Sequence, residues 1–219
     1  MIRRLAFFVA LLVPSVATTT ERMIGLVEVA AFHEISGKDG QDIPRGPVVL
    51  YVEPNIDAKI AVVVRDHKHL ESREHSYEQV SAVVYDRTRN SGGDFWYKLR
   101  YFDGEKEIFG WLSQTDAGKF RSYPDIVVRD LTYLSADWDK RLFERPDTSA
   151  PFRQFEELGE YPDVRVADVK YVNEDVWFLV VVVDGNICTG GGTNIIATGW
   201  VLAYAENGSA TVWYYSRGC

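Results

Sequence analysis

The sequence predicts an all-β protein that contains two copies of one small domain, because three landmarks occur twice in the same order. The first landmark is an Asp, a Trp followed by an aromatic residue, and a closing Asp-Gly, found at 94–104 (DFWYKLRYFDG) and 175–185 (DVWFLVVVVDG). The second, Gly-Trp with Leu or Val, follows at 110–112 and 199–201. The third, Leu, an aromatic residue, two residues and Pro, precedes at 50–54 and 142–146. Asp-Gly favours hairpin turns, so each copy is expected to contain a β-hairpin.

The first 17 residues have the pattern of a secretory signal peptide. Arg3 and Arg4 form a positive start, an apolar run follows at 5–13, and Ser15 and Ala17 are the small residues that signal peptidase reads. The alternative, an uncleaved membrane anchor, needs about 20 apolar residues, and this run is shorter. We therefore expect cleavage after Ala17, a periplasmic or secreted location, and no stable membrane insertion of the mature chain.

The composition is that of an ordinary globular protein, with 46% hydrophobic and 13% aromatic residues. The formal net charge is −8, and loss of the two positive charges of Arg3 and Arg4 takes it to −10. A negative charge of this size opposes binding to nucleic acid and to anionic lipid. No nucleic-acid partner is therefore expected.

Five segments follow from the landmarks and the turn residues between them. Residues 1–17 are the signal peptide and 18–46 an N-terminal segment with a short strand near 25–31. The first module is expected at 47–122, a connector at 123–137 and the second module at 138–219. The apolar spacing of the connector does not decide between a short helix and a strand.

In the first module, β-branched and aromatic runs predict strands at 48–52, 60–64 and 80–85. The stretch 94–104 alternates, with Tyr97, Leu99 and Tyr101 on one face and Lys98 and Arg100 on the other. This alternation is typical of a strand with one face exposed to solvent. Residues 108–112 return as its hairpin partner.

In the second module, strands are expected at 164–172, 176–183, 199–204 and 211–215. The strand 176–183 is apolar on both faces, so both faces must be covered by other parts of the protein. We expect the first module or the N-terminal segment to supply the outer cover.

The landmarks resemble those of the bacterial SH3-like (SH3b) domain. The clearer match is in the first module, at 51–54 (YVEP), 74–78, 96–97 (WY) and 110–112 (GWL). The second copy departs from the pattern, with a shorter segment before Trp177 and a longer loop after Gly185 that carries CTGGG. The resemblance implies two small SH3-like β-barrels in tandem, with 94–104 and 175–185 in their central hairpins.

SH3-like barrels bind extended peptides in grooves lined by aromatic residues. The resemblance therefore implies a binding site formed by Tyr77, Trp96, Tyr97 and Trp111. The alternative, that Trp96 and Trp111 are core residues, stays open. Binding is expected to depend more on the first module, because its central strand keeps a polar face.

Residues 65–78 (RDHKHLESREHSYE) place His67, His69 and His75 among carboxylates, a composition that can bind zinc or copper. Their spacing closes no tetrahedral site, and the resemblance makes this segment a long surface loop. We expect no metal and no other cofactor.

Cys188 and Cys219 are the two cysteines of a chain that carries an export signal, which predicts a disulfide between them. The alternative, a catalytic thiol, needs an activating His. All the histidines precede Cys188, the reverse of the order in the cell-wall cysteine peptidases that carry SH3-like domains.

These observations predict a non-enzymatic binding protein of the cell envelope, whose ligand is a cell-wall peptide or an envelope protein. The alternative is a cell-wall-associated enzyme or inhibitor-like factor with a site that the sequence does not reveal. A cluster of titratable groups in a deep pocket would favour that alternative.

Overall fold

The computed structural model describes residues 21–29, 35–36, 42–43, 46–76, 79–155, 161–192 and 194–216. The expected signal peptide at 1–17 lies outside these residues. Within them the chain is mostly β-strand, so the all-β class is confirmed, and one of its large sheets is a half-barrel.

The first large sheet runs in the order β10-β1-β7-β8-β9-β4-β5, with β6 added beside β7. A separate short pair, β2 and β3, lies between β1 and β4 in the chain. The strands are β1 Gly25–Val29, β2 Ile35–Ser36, β3 Asp42–Ile43, β4 Val48–Tyr51, β5 Ile60–Val64, β6 Ser72–Ser76, β7 Gln79–Arg89, β8 Phe95–Asp103, β9 Lys106–Ser113 and β10 Ala117–Ser122. Strand β6 and a 3₁₀ turn at His67–His69 lie within the segment that was expected to be a loop.

The second large sheet runs in the order β13-β12-β16-β15-β14-β11-β17. Its strands are β11 Thr132–Leu134, β12 Arg141–Phe143, β13 Phe152–Gln154, β14 Asp163–Val172, β15 Asp175–Val183, β16 Ile195–Leu202 and β17 Val212–Tyr214. A 3₁₀ turn at Ile187–Thr189 carries Cys188. The extents of the sheets differ from the expected module bounds, because β1 lies in the first sheet and β11 in the second.

The two sheets have the same strand order when each is followed along the chain. Apart from β6 and the β2–β3 pair, each strand of the first sheet has a counterpart, from β1 and β11 to β10 and β17. The hairpins also share their register, since Leu99 pairs with Gly110 and Val180 with Gly199. This agreement is what a duplicated unit predicts.

The second and third landmarks meet in each sheet. A Cβ on Gly110 would lie 2.7 Å from Cβ of Leu50, and a Cβ on Gly199 would lie 2.7 Å from Cβ of Leu142. Glycine is required at both positions because a real Cβ is not accommodated at that distance. The repeated Gly-Trp and Leu-aromatic motifs therefore face each other on two paired antiparallel strands, β9 with β4 and β16 with β12.

The repeat extends beyond the Pro of the third landmark, through the turn that follows it. The Asn55 side chain accepts a hydrogen bond from the Asp57 amide at 3.0 Å, and Asp147 accepts one from the Ser149 amide at 2.8 Å. Backbone bonds close both turns, at 3.1 Å from Ala58 to Asn55 and 3.0 Å from Ala150 to Asp147. Asn and Asp serve equally in such turns, which explains why the sequences differ where the structures agree.

The connector contains both a helix and a strand. Helix α1, Tyr123–Arg129, begins after Ser122, whose side chain caps the amide of Asp125, and Pro124 lies in its first turn. Tyr123 and Val127 pack into the core of the second sheet, while Ile126 packs with Leu26, Val83 and Tyr214. The helix therefore contacts both sheets through neighbouring positions on one side.

Strand β15 is covered on both faces, as expected. Phe178, Val180 and Val182 are fully buried in the core beneath α1. On the other face, Trp177 and Leu179 pack with a cluster of residues from the same sheet and its turn, namely Phe143, Ala150 and Trp200. The expectation that the first module or the N-terminal segment covers this outer face is wrong, because the turn after β12 folds back over it.

Candidate binding cleft between the two sheets

A cleft of about 740 Å³ lies between the two sheets. One wall comes from the first sheet and includes Glu71, Arg73, Tyr85, Arg100, Glu107 and Phe109. The opposite wall comes from the second sheet and includes Tyr133, Ser135, Asp137, Tyr161, Asn207 and Trp213. Glu21 and Met23, which precede β1, also line it. We call this space the cleft, and its sides the charged wall and the aromatic wall.

The alternation of side chains along β8 places Arg100 on the charged wall. Arg100 lies on the face of β8 opposite to Tyr97 and Leu99, which are buried in the first core. Phe109 of β9 pairs directly with Arg100. Their side chains therefore share the outer face of the hairpin, which forms one side of the cleft.

A β-bulge places Tyr85. The register of β7 against β8 shifts between Val84 and Asp86, which leaves Tyr85 as the extra residue. Bulges redirect the side chain of the extra residue away from the regular alternation. Here the Tyr85 ring packs edge-on against Phe109, with ring centroids 5.5 Å apart.

Glu71 is the centre of the charged wall. Its Oε2 accepts hydrogen bonds from the Tyr85 hydroxyl and from Nε of Arg100, the latter at 2.6 Å. Its Oε1 accepts one from Nη2 of Arg73 at 3.3 Å. The side chain of Glu71 is only 13% exposed, so its charge is held in a low-dielectric position by these donors.

The pKa values of two members of this cluster, Tyr85 and Arg100, are shifted by their surroundings. Burial and the hydrogen bond to Glu71 raise the pKa of Tyr85 above its ordinary value, so its hydroxyl remains a donor. Burial works to lower the pKa of Arg100, but Glu71, Tyr85 and Glu107 outweigh it and raise that pKa. The charged wall is therefore a preorganised ion-pair cluster.

The aromatic wall offers ring faces and neutral hydrogen-bonding groups. Tyr133 packs edge-on against Tyr161 at 5.7 Å between ring centroids, and burial together with Tyr161 raises the pKa of Tyr133. Tyr161 is 51% exposed, so its ring is open to a ligand. The amide of Asn207 donates to Asp137 at 3.3 Å.

Contacts between distant parts of the chain hold the walls together. The Tyr204 hydroxyl donates to the Met23 carbonyl at 2.5 Å, and the Tyr214 hydroxyl donates to the Glu74 carbonyl at 2.9 Å. Together with the packing of Ile126 against both sheets, these bonds define the separation of the walls.

The four residues expected to bind a ligand do not form one surface. Trp96 and Tyr97 are 2% and 4% exposed, respectively, because Trp96 packs on Tyr51 and Tyr97 on Phe120. Trp111 is half-buried, and Tyr77 lies outside the described residues. Neither Trp96, Tyr97 nor Trp111 lines the cleft.

Sequence reasoning missed the aromatic residues that do line the cleft. Tyr85 was not predicted because the alternation of residues along a strand does not reveal a bulge. Tyr133 was not predicted because it lies in the connector. Tyr161 and Trp213 come from segments without a landmark. The polar face of β8 was the useful signal, since Arg100 does form part of the charged wall.

The histidine segment and the cysteines are described only in part. His69 contacts the Phe102 carbonyl through Nδ1 at 3.1 Å, while the side chains of His67 and His75 lie outside the described residues. The described part of the chain contains no group of three His, Cys, Asp or Glu residues arranged to hold a metal ion. Cys219 also lies outside it, so the pairing of Cys188 with Cys219 stays a prediction.

No family model, curated protein or solved structure matches this chain. The resemblance to the bacterial SH3-like domain therefore stays a prediction. Within the described residues, no helix has the length and apolar character needed to cross a bilayer.

Proposed function

We propose that this chain is an exported, non-enzymatic binding protein of the cell envelope that holds a peptide-like ligand in the cleft. The observation that carries the proposal is the cleft itself, which combines a preorganised ion-pair cluster with an opposing aromatic wall. Its volume of about 740 Å³ is in the range of small-ligand sites, and junctions between structural units are where such sites commonly occur.

A short extended peptide suits the two walls better than a globular partner does. The ring of Tyr161 can cover the apolar part of a peptide, while Ser135, Asn207 and Arg73 can hydrogen-bond its backbone. A concave space of this size admits a few residues but not the surface of a folded protein. We therefore favour a cell-wall peptide over an envelope protein as the ligand.

The arrangement of Glu71 favours binding over catalysis. A titratable cluster in a cleft is a common mark of an enzyme, and Glu71 with Tyr85 is such a cluster. Both oxygens of Glu71, however, already accept hydrogen bonds from Tyr85, Arg100 and Arg73. A general base must take a proton from the substrate, and here it would first have to give up these donors.

The proposal includes the tandem SH3-like architecture and the export signal. The shared strand order and hairpin register of the two sheets support two related barrels. The pattern of the first 17 residues supports an envelope location, where cell-wall peptides occur.

The test uses soluble muropeptides released from peptidoglycan by a muramidase, titrated into the protein and followed by calorimetry. We expect saturable binding that Tyr161→Ala weakens about tenfold, which is about 1.4 kcal/mol. Tyr171→Ala is the matched control, since Tyr171 is 70% exposed and does not line the cleft.

Two results would count against the proposal. Absence of muropeptide binding by the wild-type protein, or equal weakening by both Tyr variants, would show that the cleft is not a site for this ligand. A change in muropeptide mass after incubation with the protein would instead support the enzyme alternative.

A further inference from the structure

We infer that the cleft selects a peptide with a cationic group, a primary ammonium or guanidinium, and binds that group between the charged and aromatic walls. This inference rests on the proposed function, because it assigns the chemistry of the peptide held there. It follows from the carboxylates of the cleft that are not fully neutralised by ion pairs with neighbouring Lys and Arg residues.

Among the described residues that line the cleft, carboxylates outnumber guanidinium groups. Glu21, Glu71, Glu107 and Asp137 carry negative charge, and Arg73 and Arg100 carry positive charge. The lining is therefore negative as a whole, in a space whose low-dielectric walls strengthen the field. A cationic ligand lowers this excess, and an anionic one increases it.

The carboxylates differ in how far they are already neutralised. Glu71 is bound closely by Arg100, and Glu21 pairs with Lys98 at 2.6 Å. Glu107 is 53% exposed and lies 3.6 Å from Nη1 of Arg100, a group that Glu71 holds on its other side. Asp137 accepts a hydrogen bond from the neutral amide of Asn207. Glu107 and Asp137, from opposite walls, are therefore the carboxylates best placed to bind an incoming cation.

The aromatic residues add a second attraction of the same sign. The ring of Phe109 already attracts cations, with Nζ of Lys98 at 4.9 Å and Cζ of Arg100 at 5.9 Å from its centroid. Ring faces attract ammonium and guanidinium groups, and partial exclusion of water strengthens that attraction. Tyr161 and Trp213 present further ring surface on the opposite wall. An ammonium group in the cleft thus meets both carboxylates and rings.

Arg73 is the group that could reverse this selectivity. Its side chain is 48% exposed and bonds Glu71 at 3.3 Å and the Ser72 carbonyl at 2.9 Å. Donors left over on its guanidinium could bind a ligand carboxylate. The test must therefore include an anionic peptide as well as a neutral one.

The experiment compares three tripeptides blocked at both ends, acetyl-Gly-X-Gly-amide, where X is Lys, norleucine or Glu. Norleucine matches the Lys side chain without its charge. We expect the Lys peptide to bind at least tenfold more tightly than the norleucine peptide, with the difference shrinking as salt rises. Binding is measured by calorimetry and by the change in tryptophan fluorescence, to which Trp213 contributes.

Variants assign the preference to the cleft. Glu107→Gln and Asp137→Asn are each expected to weaken the Lys peptide three- to tenfold and to leave the norleucine peptide unchanged. Glu105→Gln is the matched control, because Glu105 lies in the exposed turn between β8 and β9 and does not line the cleft. Thermal unfolding of each variant checks that the fold is retained.

Three results would overturn the inference. Equal affinity for the Lys and norleucine peptides would show that the positive charge does not contribute to binding. Tighter binding of the Glu peptide would show that Arg73 determines the selectivity. Loss of affinity in Glu105→Gln equal to that in Glu107→Gln would show a general charge effect. If muropeptides bind and these results appear, only the cationic selectivity is wrong. If neither muropeptides nor tripeptides bind, the proposed function is wrong as well.

Discussion

The two sheets share their strand order and register, and they differ most on the outer face of the central strand. Where the first sheet has Lys98 and Arg100, the second has Leu179 and Val181 at the corresponding positions. Leu179 packs against an apolar cluster that includes Trp177 and Phe143, whereas Arg100 lines the cleft. The same strand face is thus packed with apolar side chains in one sheet and forms the charged wall of the cleft in the other.

The β-bulge shows the same contrast. Strand β14 has a register shift between Val166 and Asp168, as β7 has between Val84 and Asp86. The extra residue is Ala167 in the second sheet and Tyr85 in the first. The bulge that both sheets share therefore places a side chain in the cleft in only one of them. Two copies of a fold do not imply two sites.

Exchanging the outer-face residues of β8 and β15 tests whether the two faces differ, and it should have the largest effect on stability. Leu179→Lys would place an ammonium group in the apolar cluster with Trp177 and Phe143, so we expect a loss of about 2–4 kcal/mol in unfolding free energy. Lys98→Leu removes a partly exposed pair with Glu21 and the contact of its ammonium group with the Phe109 ring, and should cost no more than about 1 kcal/mol. Urea unfolding measures both variants. Similar losses would mean that the two outer faces are equivalent after all.

Two glycine substitutions test the close contacts between paired strands that the sheets share. Gly110→Ala and Gly199→Ala each place a Cβ at 2.7 Å from a Leu Cβ, so both should lose about 1–3 kcal/mol through overpacking. Gly46→Ala is the control, since its Cβ would meet no atom within 4 Å. Thermal unfolding gives the comparison. A loss of stability in only one of the two variants would contradict the structural equivalence of these contacts.

Much of the fold could be predicted from the sequence, because the signals that define it act between residues close together in the chain. The repeated landmarks are short motifs in which turn chemistry and strand alternation act over a few residues, as with Leu99 and Gly110. The same alternation places Tyr97 on one face with Leu99, and in the structure that face packs in the first core. Trp96 is the harder case, because it lies on the polar face and is buried by Tyr51.

The cleft could not be predicted in this way. It depends on how α1 and a few contacts between distant residues set one sheet against the other. The bond from Tyr214 to Glu74, for example, joins residues 140 positions apart. The position of Tyr85 could not be predicted because the bulge interrupts the two-residue alternation of the strand.

Tyr85 differs from Ala167 in having a hydroxyl that ionises, so its contribution to stability should depend on pH. Burial and the bond to Glu71 raise the pKa of Tyr85 in the folded protein above the ordinary 10.0. Between these two pKa values the unfolded chain has released the Tyr85 proton and the folded protein has kept it, so rising pH favours unfolding there. Tyr85→Phe should cost about 1 kcal/mol near pH 7, where the bond to Glu71 is intact.

That cost is the quantity to follow as the pH is raised. The stability difference between wild type and Tyr85→Phe should be constant from pH 6 to about 9 and should shrink above about 10, where the unfolded tyrosine ionises. Urea unfolding at each pH isolates this residue, because the other tyrosines contribute equally to both proteins. Ala167→Ser, which changes the corresponding bulge residue, should show no such trend. A difference that persists undiminished at pH 11 would mean that Tyr85 ionises alike in the folded and the unfolded protein, so that burial and Glu71 do not raise its pKa.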